Sequence, residues 1–139
     1  MLSQTPNGPC LFRAKEHIRR FIDSAKVYRM QMLGIDELIE ACKLVVRENG
    51  FKDAYLRPLA WRGAGPLGVN GSKLPIETMI MAMPWGAYLG EGALENGVDV
   101  GISSWNRPGP NTLPQGAKAG GNYLSGQLIV MEAERLGYS

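Results

Sequence analysis

Cysteine and histidine are both scarce in this sequence, two of the first and one of the second among 139 residues. Cys10 and Cys42 are too few and too far apart for a disulfide scaffold or a zinc site, which leaves two reduced thiols of a cytoplasmic protein as the expectation. His17 has no second histidine and no nearby cysteine to complete a ligand set. It reads as a surface or hydrogen-bonded helix residue, and no metal is expected. No apolar run approaches the roughly 20 residues that cross a bilayer, and residues 1–10 lack the basic leader and apolar core of a signal peptide. Runs of like charge are missing too. Fifteen Lys and Arg are mixed with thirteen Asp and Glu for a net charge of +2, which gives no electrostatic footprint for nucleic acid. Nucleophile-elbow and Walker motifs are absent, and the segment from Gly63 to Gly68 approaches a dinucleotide fingerprint only loosely, with Pro66 inside it.

The chain does have ordinary globular proportions, 45% hydrophobic and 20% charged. A chain of this length buries roughly two thirds of its unfolded surface, enough for one core and not for two catalytic domains. Eighteen glycines and nine prolines are concentrated between positions 63 and 126. Aromatic residues interleave with them, so the region is not low in complexity, and the glycines mark close approach of backbone to backbone or ligand.

Ile18, Phe21, Ile22 and Ala25 recur at helical spacing and predict a helix over 13–28. Leu38, Ala41, Cys42 and Val45 predict a second over 36–48, begun by Asp36 and Glu37 and stopped by Asn49-Gly50. The period then changes to two. Residues 54–61 read as a strand with Tyr55, Arg57, Leu59 and Trp61 on one face, and Pro58 places it at an edge or a bulge. After a glycine-rich loop over 63–73, the apolar run 78–83 predicts a strand buried on both sides, and 98–105 a third strand. A Pro/Gly/Asn segment leads to a last helix over about 122–136. The order gives an α+β fold, helices packed on a mostly antiparallel sheet. The last helix has an uncovered apolar face (Leu128, Ile129, Met131, Leu136), which suggests a truncated domain.

Lys118 stands among Gly116, Ala117, Ala119, Gly120 and Gly121, just before that helix. A nucleophilic lysine needs room for a bulky carbonyl compound, and these small neighbours provide it; a solvated loop lysine is the plainer alternative. Arg57 shares its strand face with aromatics. If that face is buried its charge needs a carboxylate from protein or ligand, and if it is open the charge is simply hydrated. Arg20, with Lys15, Arg19 and Lys26, forms either a solvated helix face or an anion contact.

Longer stretches resemble a known family. Phe12-Arg13-Ala14-Lys15-Glu16-His17-Ile18-Arg19-Arg20-Phe21, Asp23-Ser24-Ala25-Lys26 and Ala54-Tyr55-Leu56-Arg57-Pro58-Leu59 are similar to the small N-terminal domain of class IV aminotransferases. Pro84-Trp85-Gly86-Ala87-Tyr88-Leu89-Gly90, Ser103-Ser104-Trp105-Asn106-Arg107 and Ala117-Lys118-Ala119-Gly120-Gly121-Asn122-Tyr123-Leu124 resemble the bacterial branched-chain amino-acid aminotransferases. The resemblance runs from Cys10 onward.

It implies pyridoxal 5'-phosphate as cofactor, held through a Schiff base on Lys118, with Arg20 on its phosphate and Tyr123 on its phenolic oxygen. It implies substrate contacts by Tyr55, Arg57, Trp85 and Tyr88, a pocket that takes both an aliphatic side chain and a carboxylate. Partners would be amino acids and 2-oxo acids, in a cytoplasmic step of branched-chain amino-acid biosynthesis, with a homo-oligomer for the intact enzyme. Neither nucleic acid nor membrane is expected as a partner. On this reading residues 1–9 do not match, 10–105 form the small domain, incomplete at its start, and 106–139 hold the interdomain segment and the start of the large domain. The large domain carries the acid that pairs with the cofactor's ring nitrogen, so these 139 residues alone are expected to show little or no transaminase activity. The alternatives are D-amino-acid aminotransferase or aminodeoxychorismate lyase of the same class, or a non-catalytic remnant that binds a partner through its last helix.

Overall fold

A computed structural model describes residues 2–6, 8–85, 90 and 92–138. The chain divides into two compact units, Met1–Trp85 and Gly86–Ser139.

In the first unit β1 (Leu2–Thr5) and β2 (Gly8–Leu11) form an antiparallel hairpin. Helix α1 (Ala14–Val27) follows, then α2 (Ile35–Glu48), β3 (Tyr55–Arg62) and β4 (Ile76–Met83). Both helices lie where the apolar periodicity expects them. Ile18, Leu38 and Cys42 are buried together, with Phe21, Ile22, Leu56 and Ile80 packed on them. This joins the stripes of α1 and α2 to one face of the β3–β4 ribbon and makes the unit a helix-on-sheet layer. A second small core places Val46 and Ala54 against Leu11, Phe51 and Leu56. The expected stop of α2 is present. Gly50 adopts φ 65°, which a residue without Cβ takes at little cost, and the Phe51 N–H donates to the Val46 carbonyl at 3.2 Å.

Strands β3 and β4 pair one to one from Tyr55 with Met83 to Arg62 with Ile76. The register has no bulge, so Pro58 is tolerated as an edge-strand residue. Leu56, Pro58, Ala60, Thr78, Ile80 and Ala82 share the face that meets the helices, while Tyr55, Arg57, Leu59, Met79, Met81 and Met83 share the other. The sequence reading of β4 as buried on both sides is therefore corrected: Glu77 and Met79 are exposed, between half-buried Ile76, Thr78 and Ile80. A two-stranded ribbon with helices on one face covers only alternate side chains, however apolar the run.

The connection between β3 and β4 is tied down by Arg62. Its guanidinium donates to the Gly71 carbonyl at 2.5 Å and to the Tyr28 carbonyl, at the end of α1, at 2.7 Å.

In the second unit a short helix, α3 (Ala93–Asn96), precedes an irregular segment. A 3-10 turn (Gly120–Tyr123) leads directly into α4 (Leu124–Arg135), close to the expected last helix. The expected strand over 98–105 is not formed. The hydrogen-bonding groups of Ser103 and Ser104 go to the Glu132 side chain of α4 and not to a neighbouring strand. Leu124, Leu128 and Met131, at i, i+4 and i+7 of α4, remain exposed. No helix of the described residues is long and apolar enough to cross a membrane.

Candidate active site

Lys118 is presented by a turn whose geometry is local. The Ala117 N–H donates to the Pro114 carbonyl at 3.0 Å and the Ala119 N–H to the Ala117 carbonyl at 3.0 Å. Ala117 is buried and Lys118 is exposed, so the chain anchors one residue and projects the next. Asn122 closes the turn from beneath. Its side-chain nitrogen donates to the carbonyls of Pro114 at 3.0 Å and Ala117 at 2.8 Å, and the residue is 3% exposed. The Asn122 Oδ1 and Ser125 Oγ atoms are buried without a hydrogen-bond partner.

A Cβ built at Gly116, Gly120 or Gly121 meets no atom within 4 Å. These glycines leave open space around Lys118 and do not serve internal packing. Opposite this space stands Tyr123, half exposed, with the Lys118 Nζ 5.9 Å and the Arg107 Cζ 5.7 Å from its ring centroid. Two cations thus approach one phenol ring.

In the first unit the open face of β3 gathers a different set. The rings of Tyr55 and Trp85 have centroids 5.0 Å apart and are tilted by 34°. The Arg57 Cζ lies 5.3 Å from the Tyr55 centroid. Arg57 is exposed, and among the described residues no carboxylate lies within ion-pair distance of it. The arrangement is an aromatic wall with a planar cation at its edge, a surface suited to a ligand with both apolar bulk and a carboxylate.

Arg20 lies on the solvent side of α1. Its Nη2 is 3.5 Å from the His17 Nδ1, and its carbonyl accepts from the Ser24 hydroxyl at 2.7 Å. Burial holds the His17 imidazole below its usual pKa, and the neighbouring Arg20 and Arg13 lower it further. Tyr88 lies outside the described residues.

The candidates therefore stand as Tyr55, Arg57 and Trp85 together on one sheet face, Arg20 on α1 of the same unit, and Lys118 with Tyr123 in the other unit. Sequence reasoning did not single out Asn122 or Arg107. Asn122 carried one signal, a polar amide at the entry to a helix, a position where such side chains bond to nearby backbone. Arg107 carried none, because its contact with Tyr123 is not a matter of spacing.

One known family, described as amino-transferase class IV, matches this chain. That family's model matches residues 4–139, and the chain belongs to this family. The branched-chain-amino-acid aminotransferase of Escherichia coli K12 is 53% identical over 133 residues, which are 94% of this chain and 43% of that protein. The enzyme of the same name from Pseudomonas aeruginosa PAO1 is 39% identical over 130 residues, 93% of this chain and 42% of that one. Among solved structures, Escherichia coli branched-chain amino acid aminotransferase superposes with a TM-score of 0.94 at 51% identity, over 99% of this chain and 46% of that one. The branched-chain amino acid aminotransferase of Thermobaculum terrenum, solved as a mutant, gives 0.76 at 29% identity, over 91% of this chain and 41% of that one. The chain thus spans less than half the length of these relatives.

Proposed function

We propose that this chain supplies the lysine side and part of the substrate wall of a pyridoxal-phosphate-dependent transaminase. That enzyme would move the amino group of leucine, isoleucine or valine to 2-oxoglutarate. The observation that supports this most is Lys118, exposed between glycines that pack against nothing and facing Tyr123. By their chemistry the residues suit the cofactor: Lys118 offers an accessible amine for its aldehyde and Tyr123 a phenol for its phenolic oxygen, while Arg20, in the other unit, carries a fork of donors of the kind that binds phosphate. When bound, the cofactor would supply an electron sink that makes the substrate's α-proton acidic.

Lys118 would then accept that proton on Nζ and return it on the other side of the reaction, a task that needs a reachable and mobile amine. Tyr123 would hold the ring in place. Arg57, with Tyr55, Trp85 and Tyr88, would receive the substrate side chain, the guanidinium for the carboxylate of the glutamate partner and the rings for the aliphatic one. For the intact enzyme the partners are amino acids and 2-oxo acids, and the assembly is a homo-oligomer. Branched-chain substrates are preferred over those of the other class IV enzymes because the named relatives are branched-chain-amino-acid aminotransferases at up to 53% identity.

The test is chemical trapping. The chain is incubated with pyridoxal phosphate, reduced with borohydride, digested and mapped. Of the six lysines, Lys118 should carry most of the label, and Lys118→Ala should lose it. Label spread evenly over all lysines would remove the reading.

A further inference from the structure

Residues 101–107 run beside α4 and the residues flanking it in the opposite direction and touch them at three places. Gly101 lies against the Tyr138 ring, where a Cβ would stand 2.7 Å from Cε2. Ser103 and Ser104 meet Glu132. Both hydroxyls donate to its carboxylate, the Ser104 Oγ at 2.6 Å, and the Ser104 N–H adds a third bond at 2.9 Å. The Ser103 oxygen in turn accepts from the Trp105 N–H at 3.0 Å, so one carboxylate orders three successive residues. Two residues further on, the Arg107 guanidinium lies across α4, its Cζ 5.7 Å from the Tyr123 centroid and its Nη1 3.4 Å from where a Cβ at Gly126 would stand.

We propose that Glu132 is a positioning residue: by fixing Ser103 and Ser104 on α4 it keeps Arg107 beside the Tyr123 ring, which the amine of Lys118 also approaches. The segment carries no strand, and Val100 and Ile102 are largely exposed, so little apolar packing holds it in place. The carboxylate suits the task because its two oxygens accept several converging donors without a proton of their own. The hydrogen bonds from Ser103 and Ser104, with Arg135 nearby, hold the Glu132 carboxyl below its usual pKa, so it stays ionised at neutral pH. Its significance for the reaction rests on the reading of Lys118 and Tyr123 given above, and the experiment separates the two.

Glu132→Ala, Glu132→Gln and Ser104→Ala are compared with the parent chain in three measurements: exchange of the Ser104 amide, the ring resonances of Tyr123, and the rate of borohydride-trapped labelling of Lys118 by pyridoxal phosphate. In Glu132→Ala the amide should exchange about tenfold faster, as expected when a charge-assisted hydrogen bond is lost. The Tyr123 resonances should move, and labelling of Lys118 should slow. Glutamine keeps one oxygen for the Ser103 hydroxyl and the Ser104 N–H and turns an NH2 toward the Ser104 hydroxyl, which can accept. Glu132→Gln should therefore restore the Tyr123 resonances and the labelling rate. Ser104→Ala, a change on an exposed segment, should fall between, and it decides the matter if Glu132→Ala does not fold.

Unmoved Tyr123 resonances in both Glu132→Ala and Ser104→Ala, or no rescue by glutamine, would overturn the proposal. If the parent chain is not labelled at Lys118, the transaminase reading fails, while the Tyr123 resonances still judge whether Glu132 holds Arg107 in place.

Discussion

The side-chain nitrogen of Asn122 lies 2.8 Å from the Ala117 carbonyl, so a buried amide holds the residue that immediately precedes Lys118. With the Pro114 carbonyl on the same nitrogen, the turn that projects the lysine is closed by one side chain. Asn122→Ala should destabilise the chain by about 1–3 kcal/mol, since two carbonyls lose a donor and the site is buried. Asn122→Asp should be worse at neutral pH, because it sets a carboxylate against carbonyl oxygens without a counter-charge. Urea unfolding of the three proteins checks the order, and an aspartate variant as stable as the parent would sink the assignment.

His17 gives a pH-dependent prediction. Its imidazole is held below the ordinary value of 6.5, first by burial and then by Arg20 and Arg13. The unfolded chain then binds the proton more readily than the folded one. Stability therefore rises with pH up to about 6.5 and is lost as pH falls through the lower folded value. His17→Gln should flatten that slope. As the sole histidine, His17 is read directly by NMR titration. Inorganic phosphate held at Arg20 should raise its titration midpoint, and the absence of any rise at saturating phosphate would take Arg20 out of the proposed anion site.

Arg62 makes a structural prediction. One guanidinium bonds both Gly71 and Tyr28 carbonyls, a reach that the single ammonium of lysine does not reproduce. Arg62→Lys should leave the helix-on-sheet core intact, as seen by circular dichroism, yet speed tryptic cleavage at Lys73 several-fold. Equal cleavage rates would show that the two bonds do not restrain the connection.

Leu38 tests the core beneath the aromatic wall. It is 1% exposed, between Ile18 and Cys42. Leu38→Ala should cost about 2–5 kcal/mol through lost transfer energy and an unfilled cavity. Denaturant midpoints measure it, and a loss below about 1 kcal/mol, roughly that of a surface change, would contradict the packing described.

Much of this was legible in the sequence because burial follows period. Ile18, Phe21 and Ile22 announce α1, Leu38 and Cys42 announce α2, and the alternation around Leu56 announces β3. Val98, Val100 and Ile102 alternate just as well, yet no strand forms there, since alternation states a preference and supplies no partner. The partner is Glu132, 28 residues beyond Ser104, and nothing local marks it. The candidate site divides in the same way. Lys118 was visible through its small neighbours and the family resemblance, whereas Arg107 and the supporting amide of Asn122 act through contacts that appear only once the 114–117 turn is closed and 101–107 lies along α4.

The unbroken one-to-one register of β3 on β4 makes the composition of the aromatic face a matter of parity. Tyr55, Arg57, Leu59 and Trp61 are odd-numbered and meet odd-numbered partners, while Leu56 and Ile80 are even and point to the helices. A single residue inserted near the middle of β3 would exchange odd for even beyond that point, driving aromatic or cationic groups into oil and aliphatic ones into water. Length errors within these eight residues should therefore be far less tolerable than substitutions, whereas the connection from Gly63 to Pro75 can grow or shrink without changing which side of the ribbon any residue occupies.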